Sequence, residues 1–260
     1  MCPPRRMSIP PHSRAAASAP ASVVSLHDLR ARCSNCSMRE LCLPYSLDPH
    51  DLHQLDQLVV TRRRLKKGDI LYRAGDSFTA LHAVKLGSTM TTVLAEDGRE
   101  QVCGYHLAGD LFGLDGIDDG HHKGQSIALE DSEVCSVPLD RLEELSRHVP
   151  ALQHNLHRFL SREIDRDHNI MLLLGSMRAE ERLAAFLLNL AHRYRQRGYS
   201  STEFVLRMTR EEIGSFLGLK LETVSRLFSR FQQEGLIQAQ GRAVKLLDIR
   251  ALKQLAGQRA

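Results

Sequence analysis

MTREEIGSFLGLKLETVSRLFSRFQQEGLI, residues 208–237, decides the architecture of the C-terminal third. Thr209 and Glu212 stand in T-x-x-E spacing. The threonine hydroxyl can accept from the third helical amide while the glutamate reaches back to the amide of the cap. A helix is expected from Thr209 to about Leu217. Gly218 allows a tight turn, and a second helix is expected from about Leu221 to Glu234, with Val224, Leu227, Phe228 and Phe231 on its buried face. Glu222, Ser225 and Arg226 then share the other face, at i, i+3 and i+4. Arg226 can donate two hydrogen bonds to guanine O6 and N7, Glu222 can accept from cytosine N4, and Ser225 can bond either way. The N-terminal end of a second helix is where such base contacts are made. A helical hairpin that binds nothing, with Glu222–Arg226 as an ordinary ion pair, is the plainer alternative. GLIQAQGRAVKLLD, which follows, reads as a two-stranded wing with its turn at Gly241-Arg242.

Charge favours the nucleic-acid reading. The chain of 260 residues carries a formal net charge of only +4. From Arg178 onward, however, there are 15 Lys/Arg against 8 Asp/Glu, a net of +7, which leaves −3 for the rest. A basic third on a mildly acidic body suits a polyanionic partner, although an ordinary solvated surface would look similar.

Upstream the pattern changes. From about Val59 to Pro138, strand-like runs alternate with Gly- and Asp-rich turns, as in GDILYRAGD and QSIALEDSEVCSVP. Such spacing indicates an antiparallel all-β sandwich or barrel, and Asp97-Gly98 in AEDGRE is its strongest hairpin signal. ALQHNLHRFLSREIDRDHNIMLLLG, residues 151–175, has no internal glycine or proline and predicts one long helix. Leu160, Ile164, Asp167, Met171 and Leu174 follow a four-three-four-three spacing along it, a heptad seam. That seam could pair two parallel copies of the helix, or pack on the chain's own β domain. In a dimer, Asp167 would face its copy in a desolvated position and weaken the pairing. The first 25 or so residues, with Pro10 and Pro11 where a secretory apolar core should lie, read as a disordered tail. No apolar run approaches the length of a membrane span, so no membrane partner and a cytoplasmic location are expected.

CSNCSMRELC, residues 33–42, places three of the six cysteines within ten positions. In a reducing compartment, clustered thiols more often bind metal than form disulfides. The C-x2-C-x5-C spacing matches neither common ferredoxin pattern. Four thiolates would suit structural zinc as well as iron–sulfur, so the spacing leaves both open. Cys2 falls in the tail, and Cys103 is expected to be a small buried hydrophobe. His106, His121 and His122 are assigned no role, the paired histidines being expected at the surface. No phosphate loop or nucleophile–base motif suggests an enzyme.

The order β-roll, long helix, winged helix resembles the CRP/FNR superfamily of bacterial transcription regulators. CSNCSMRELC, GYHLAGDLFGLDGI, ALEDSEVC, AEERLAAFLLNL and GLKLETVSRL carry the resemblance, from Cys33 to Gly257, and are most similar to the oxygen-sensing FNR branch. The resemblance implies an α+β fold in four parts. These are a tail over 1–25, a cysteine segment with an antiparallel, cyclic-nucleotide-binding-like β-roll over 26–150, a dimerisation helix over 151–175 and a winged helix-turn-helix over 176–260. It implies a [4Fe–4S] cluster on Cys33, Cys36, Cys42 and Cys135, oxygen sensing through it, and a cluster-dependent homodimer on palindromic sites in double-stranded DNA. A zinc-stabilised or haem-sensing regulator of the CRP type is the alternative. Thr209 and Arg210 match positions that touch the DNA backbone, and the hairpin around Gly98 matches a surface for RNA polymerase. No cyclic nucleotide is expected, because Gln125-Ser126 stands where the phosphate-binding Arg-Ser of cyclic-nucleotide regulators would be, which removes the charge-assisted contact.

Overall fold

The structure is a computed structural model that describes residues 32–58, 61–95 and 98–257. The expected tail, Cys2 and Asp97 lie outside the described residues. Two short 3-10 turns, Cys33–Asn35 and Arg39–Leu41, lead into helix α1, Pro49–Gln57, whose cap Asp48 accepts from the Asp51 amide at 2.8 Å. Eight strands follow: β1 Thr61–Leu65, β2 Ile70–Tyr72, β3 Ala80–Leu86, β4 Ser88–Leu94, β5 Glu100–Leu107, β6 Leu111–Phe112, β7 Gln125–Ala128 and β8 Ser132–Pro138. They form two antiparallel sheets in the orders β1-β8-β3-β6 and β2-β7-β4-β5. Val84 and Val134 are fully buried between them with Tyr72 and Ala128, whereas Leu81, on the opposite face of β3, packs with Leu142 and Leu152 of the helices that follow. The β4–β5 turn includes Gly98 at φ 83°, where a side chain would be strained.

Helix α2, Leu139–His148, leads to α3, Pro150–Ser176, one uninterrupted element of 27 residues. Its Leu152, Asn155, Leu156 and Phe159 pack on the roll at helical spacing. Helix α4, Ala179–Gln196, β9, Glu203–Val205, α5, Arg210–Leu217, and α6, Leu221–Gln233, follow. Strands β10, Ile237–Gln240, and β11, Ala243–Leu246, form the wing, and α7, Ile249–Leu255, closes the chain. The wing sheet runs β10-β11-β9. One apolar core joins the roll to this C-terminal unit: Met90, Val102, Tyr105 and Leu107 cluster with Phe186, Leu187 and Leu190 of α4. Beside it Asp110 accepts from the Leu107 amide at 2.7 Å and Arg197 at 2.6 Å, and pairs with Arg193. Burial alone would raise the Asp110 carboxyl, but the facing Arg193, Arg197 and Arg166 hold it well below the usual carboxylate range. Among the described residues, no helix is long and apolar enough to cross a membrane.

Two expectations are corrected. Cys103 is exposed on β5 and not a buried hydrophobe, because it is the extra residue of a bulge, where Gly104 pairs with Thr91 and Val102 with Thr92. His122 is buried, stacked 3.7 Å from the Tyr72 ring with Nδ1 2.9 Å from Asp115; only its neighbour His121 faces solvent. His106 is buried too, stacked on Phe112.

Candidate sensor site and nucleic-acid interface

Cys33, Cys36, Cys42 and Cys135 line one cavity, together with Leu43, Ala83 and Val137. Cys135 reaches it from β8, where it sits between Arg62 of β1 and Ala83 of β3 in register. The other three come from the N-terminal segment, which folds over the sheet. The approach is close: a Cβ on Gly109, whose φ is 90°, would stand 2.8 Å from Leu41 Cβ. Asp56 of α1 anchors the segment by accepting from the amide and hydroxyl of Ser34, at 3.1 and 2.5 Å.

The site disfavours negative charge unless a cation is supplied. Burial pushes the Cys33 thiol up to about 12, with Asp56, Cys135 and Cys36 adding to it. Burial, then Cys36, raises Cys135 to about 11, and burial raises Cys42 as well. Thiols raised in this way become thiolates together only around concentrated positive charge. Soft sulfur donors in an apolar cradle fit a thiophilic metal or an iron–sulfur group.

Helix α3 shows two faces. Leu152 and Asn155 are buried against the roll and the cysteine segment. Ile164 and Met171 are 55% and 61% exposed, and Asp167 between them is exposed also. Leu160 and Leu174 are half-buried. The stripe with heptad spacing is thus not the one that packs on the chain's own roll.

The helix-turn-helix is built as its sequence dictates. Thr209 Oγ1 accepts from the Glu212 amide at 3.1 Å, and the Thr209 amide donates to Glu212 Oε2 at 2.5 Å. Gly218 adopts the left-handed conformation between α5 and α6. Val224, Leu227, Phe228 and Phe231 are buried, while Glu222, Ser225 and Arg226 are all exposed at the start of α6. Arg210 lies over the Phe228 ring at 3.1 Å, a cation–π contact that fixes it at the head of α5.

Sequence reasoning missed the residues that tie these parts together. Arg182 donates to three carbonyls: Leu174 at the end of α3 (2.7 Å), Met177 in the hinge (2.9 Å) and Leu217 at the turn (3.0 Å). Asn155 reaches the cysteine segment, and Ser215 of α5 accepts from the Val102 amide of β5 at 2.9 Å. In sequence Asn155 is one polar residue among several of the long helix; its burial and its partners are not visible there.

Comparison with known proteins agrees with this geometry. A family model described as a cyclic nucleotide-binding domain matches residues 62–148, and one described as a Crp-like helix-turn-helix domain matches 181–255. The chain is 49% identical to the transcriptional regulatory protein btr of Bordetella pertussis, over 88% of this chain and 94% of that protein. It is 44% identical to the fumarate and nitrate reduction regulatory protein of Escherichia coli K12, over 86% and 90%. The solved structure of FixK2 from Bradyrhizobium japonicum superposes with a TM-score of 0.70 at 31% identity, covering 78% of this chain and all of that one.

Proposed function

The chain belongs to the CRP/FNR family of DNA-binding transcription regulators, which are not enzymes, and from that premise we propose that it senses oxygen through a [4Fe–4S] cluster. The observation that carries this reading is the convergence of Cys33, Cys36, Cys42 and Cys135 on one cavity. The bound group would supply an oxygen-labile junction between the segment and the roll. The chain does the rest. The segment folds onto β8 through Cys135 and onto α3 through Asn155, and α3 presents Ile164, Met171 and Leu174 to a second copy. The homodimer sets two α6 helices on half-sites one turn apart in a pseudo-palindrome of double-stranded DNA. Glu222, Ser225 and Arg226 read bases, and Thr209 and Arg210 meet the backbone. Asp167 keeps pairing conditional, since two carboxylates brought together in a seam repel. Coupling of the two events is linkage: the cluster strengthens pairing by the same factor as pairing strengthens cluster binding. The exposed β4–β5 hairpin at Gly98 offers RNA polymerase a contact surface.

A cyclic-nucleotide ligand does not suit the roll. Asp110 is engaged by Arg193 and Arg197, and Gln125 donates to Glu100 at 2.8 Å in place of a free cation.

Anaerobic purification tests the proposal. A brown protein with iron and sulfide, which bleaches in air as dimers dissociate and operator binding weakens, is the expected result. A colourless zinc protein, sharp haem bands, or metal-free protein that pairs and binds its operator equally well would each overturn it.

A further inference from the structure

The cysteine segment and α3 meet at one buried polar side chain. Asn155 is 6% exposed within an otherwise apolar stripe. Its Nδ2 donates both hydrogens to the segment, to the Leu43 carbonyl at 3.0 Å and the Tyr45 carbonyl at 2.7 Å. An amide nitrogen has two donors, and both are used here on backbone that directly follows Cys42. The Leu43 carbonyl, one residue beyond Cys42, is turned to Asn155. One turn further along, the Arg158 guanidinium lies 3.6 Å over the Tyr45 ring. Leu152, Leu156 and Phe159 pack beside these contacts in the apolar cluster that includes Cys33, Cys42 and Cys135.

Packing alone does not explain an asparagine at this position. Leucine would fill an apolar stripe without the desolvation that a buried amide incurs. The two carbonyls, in turn, would be left without these donors if Asn155 were removed. The contact is also directional. An apolar surface tolerates sliding of the segment over the helix, whereas two hydrogen bonds from one rigid amide hold only when Leu43 and Tyr45 sit in one register with α3. Cys42 stands a single residue before Leu43. The seam residues Leu160, Ile164 and Asp167 begin little more than a turn further along the same helix.

We propose that Asn155 is the positioning residue through which the state of the cysteine site is passed to α3 and so to dimerisation. This inference rests on the sensor reading above and names its internal link. With the four thiols bound, Leu43 and Tyr45 are held in the register that Asn155 bonds, and the N-terminal half of α3 is fixed on the roll. When the segment is released, those two bonds no longer select one pose of the helix. Asn155 touches none of the bound group; it acts through Leu43 and Tyr45.

The test compares wild type with Asn155→Ala and Asn155→Asp, the latter matching the shape while lacking both donors. Iron, sulfide and visible absorbance are measured on anaerobic protein, and the monomer–dimer constant by sedimentation before and after exposure to air. The expected result is that both variants take up iron and sulfide like wild type, while the oxygen-dependent change in the dimer constant shrinks by about tenfold, the loss of two net hydrogen bonds. A variant that loads normally and keeps the full change overturns the inference and leaves the sensor reading intact. Wild-type protein that holds no iron overturns the sensor reading, and this inference falls with it. Should the variants fail to load, hydrogen exchange on wild type decides. Amides of 43–47 and of 152–159 are expected to gain protection together when iron and sulfide are bound, and protection confined to the first set overturns the link.

Discussion

The helix-turn-helix and the cysteine site are both binding regions, but they are assembled in opposite ways. From Thr209 to Gln233, each structural decision is made by residues within a few positions: a capping box, a left-handed glycine and an apolar face. The cysteine site joins Cys33, Cys36 and Cys42 to Cys135, about a hundred residues away, and is held by Asp56, Gly109 and Asn155 from three other elements. A locally determined unit keeps its shape whatever the rest of the chain does. A site closed over long loops depends on the state of everything it joins, since its closure entropy must be offset by whatever it binds. That difference suits the proposed sensor connected to a reader, in which the part proposed to respond is the part whose structure is conditional.

Perturbing each region in turn sharpens the contrast. Cys135→Ser is expected to have the largest effect. It removes the ligand proposed on the roll, so anaerobic iron and sulfide are expected to be lost and operator affinity to fall on the order of 100-fold, with far-ultraviolet circular dichroism of the C-terminal helices unchanged. Metal analysis and gel-shift titration would check it. Next comes Arg226→Ala, expected to cost about 1–3 kcal/mol of operator binding and to relax selectivity at one base pair with iron content unaltered. An altered iron content there would break the proposed separation of the two regions.

The roll has a further conditional feature in His106. Burial lowers its pKa to about 3, and it lies stacked on Phe112 with Nε2 2.9 Å from Thr91 Oγ1. Between about pH 6.5 and about pH 3 the unfolded chain binds a proton at this ring that the folded chain does not. The stabilisation is therefore complete above that window and is lost as pH falls through it, by about 1–2 kcal/mol at pH 5. Denaturant midpoints of the metal-free protein at pH 7 and 5 would measure this, and His106→Gln is expected to reduce the difference. The smallest effect is that of Thr209→Ala, which removes the cap of α5 at a cost of about 1 kcal/mol. It should lower the thermal midpoint and leave the anaerobic spectrum as it was.

Legibility in the sequence follows the same division. The recognition-helix trio could be placed from spacing alone, because an α-helix returns to the same face every three to four residues. The exposed and buried stripes of α3 could be separated in part: the heptad of Ile164, Asp167 and Met171 was visible, whereas the roll-facing Asn155 passed as one polar residue among several. Cys135 was connected to the other cysteines only through family resemblance, since nothing local in ALEDSEVC distinguishes a ligand from a buried thiol. Cys103 and His122 show the reverse. Residue type suggested burial for the one and exposure for the other, and the bulge in β5 and the stack on Tyr72 decided otherwise.

By itself, then, the sequence determined what is written in neighbouring residues: the capping box, the turn at Gly218, the α6 face that carries Glu222, Ser225 and Arg226, and the heptad spacing along α3. Only the tertiary structure decided that four thiols share one apolar cavity, that Asp110 is held by two arginines, and that Asn155 grips the backbone beside Cys42. The physical reason is range. Helix periodicity and turn chemistry act over a few residues, whereas sheet register and core packing bring together side chains whose separation along the chain carries no mark of their contact.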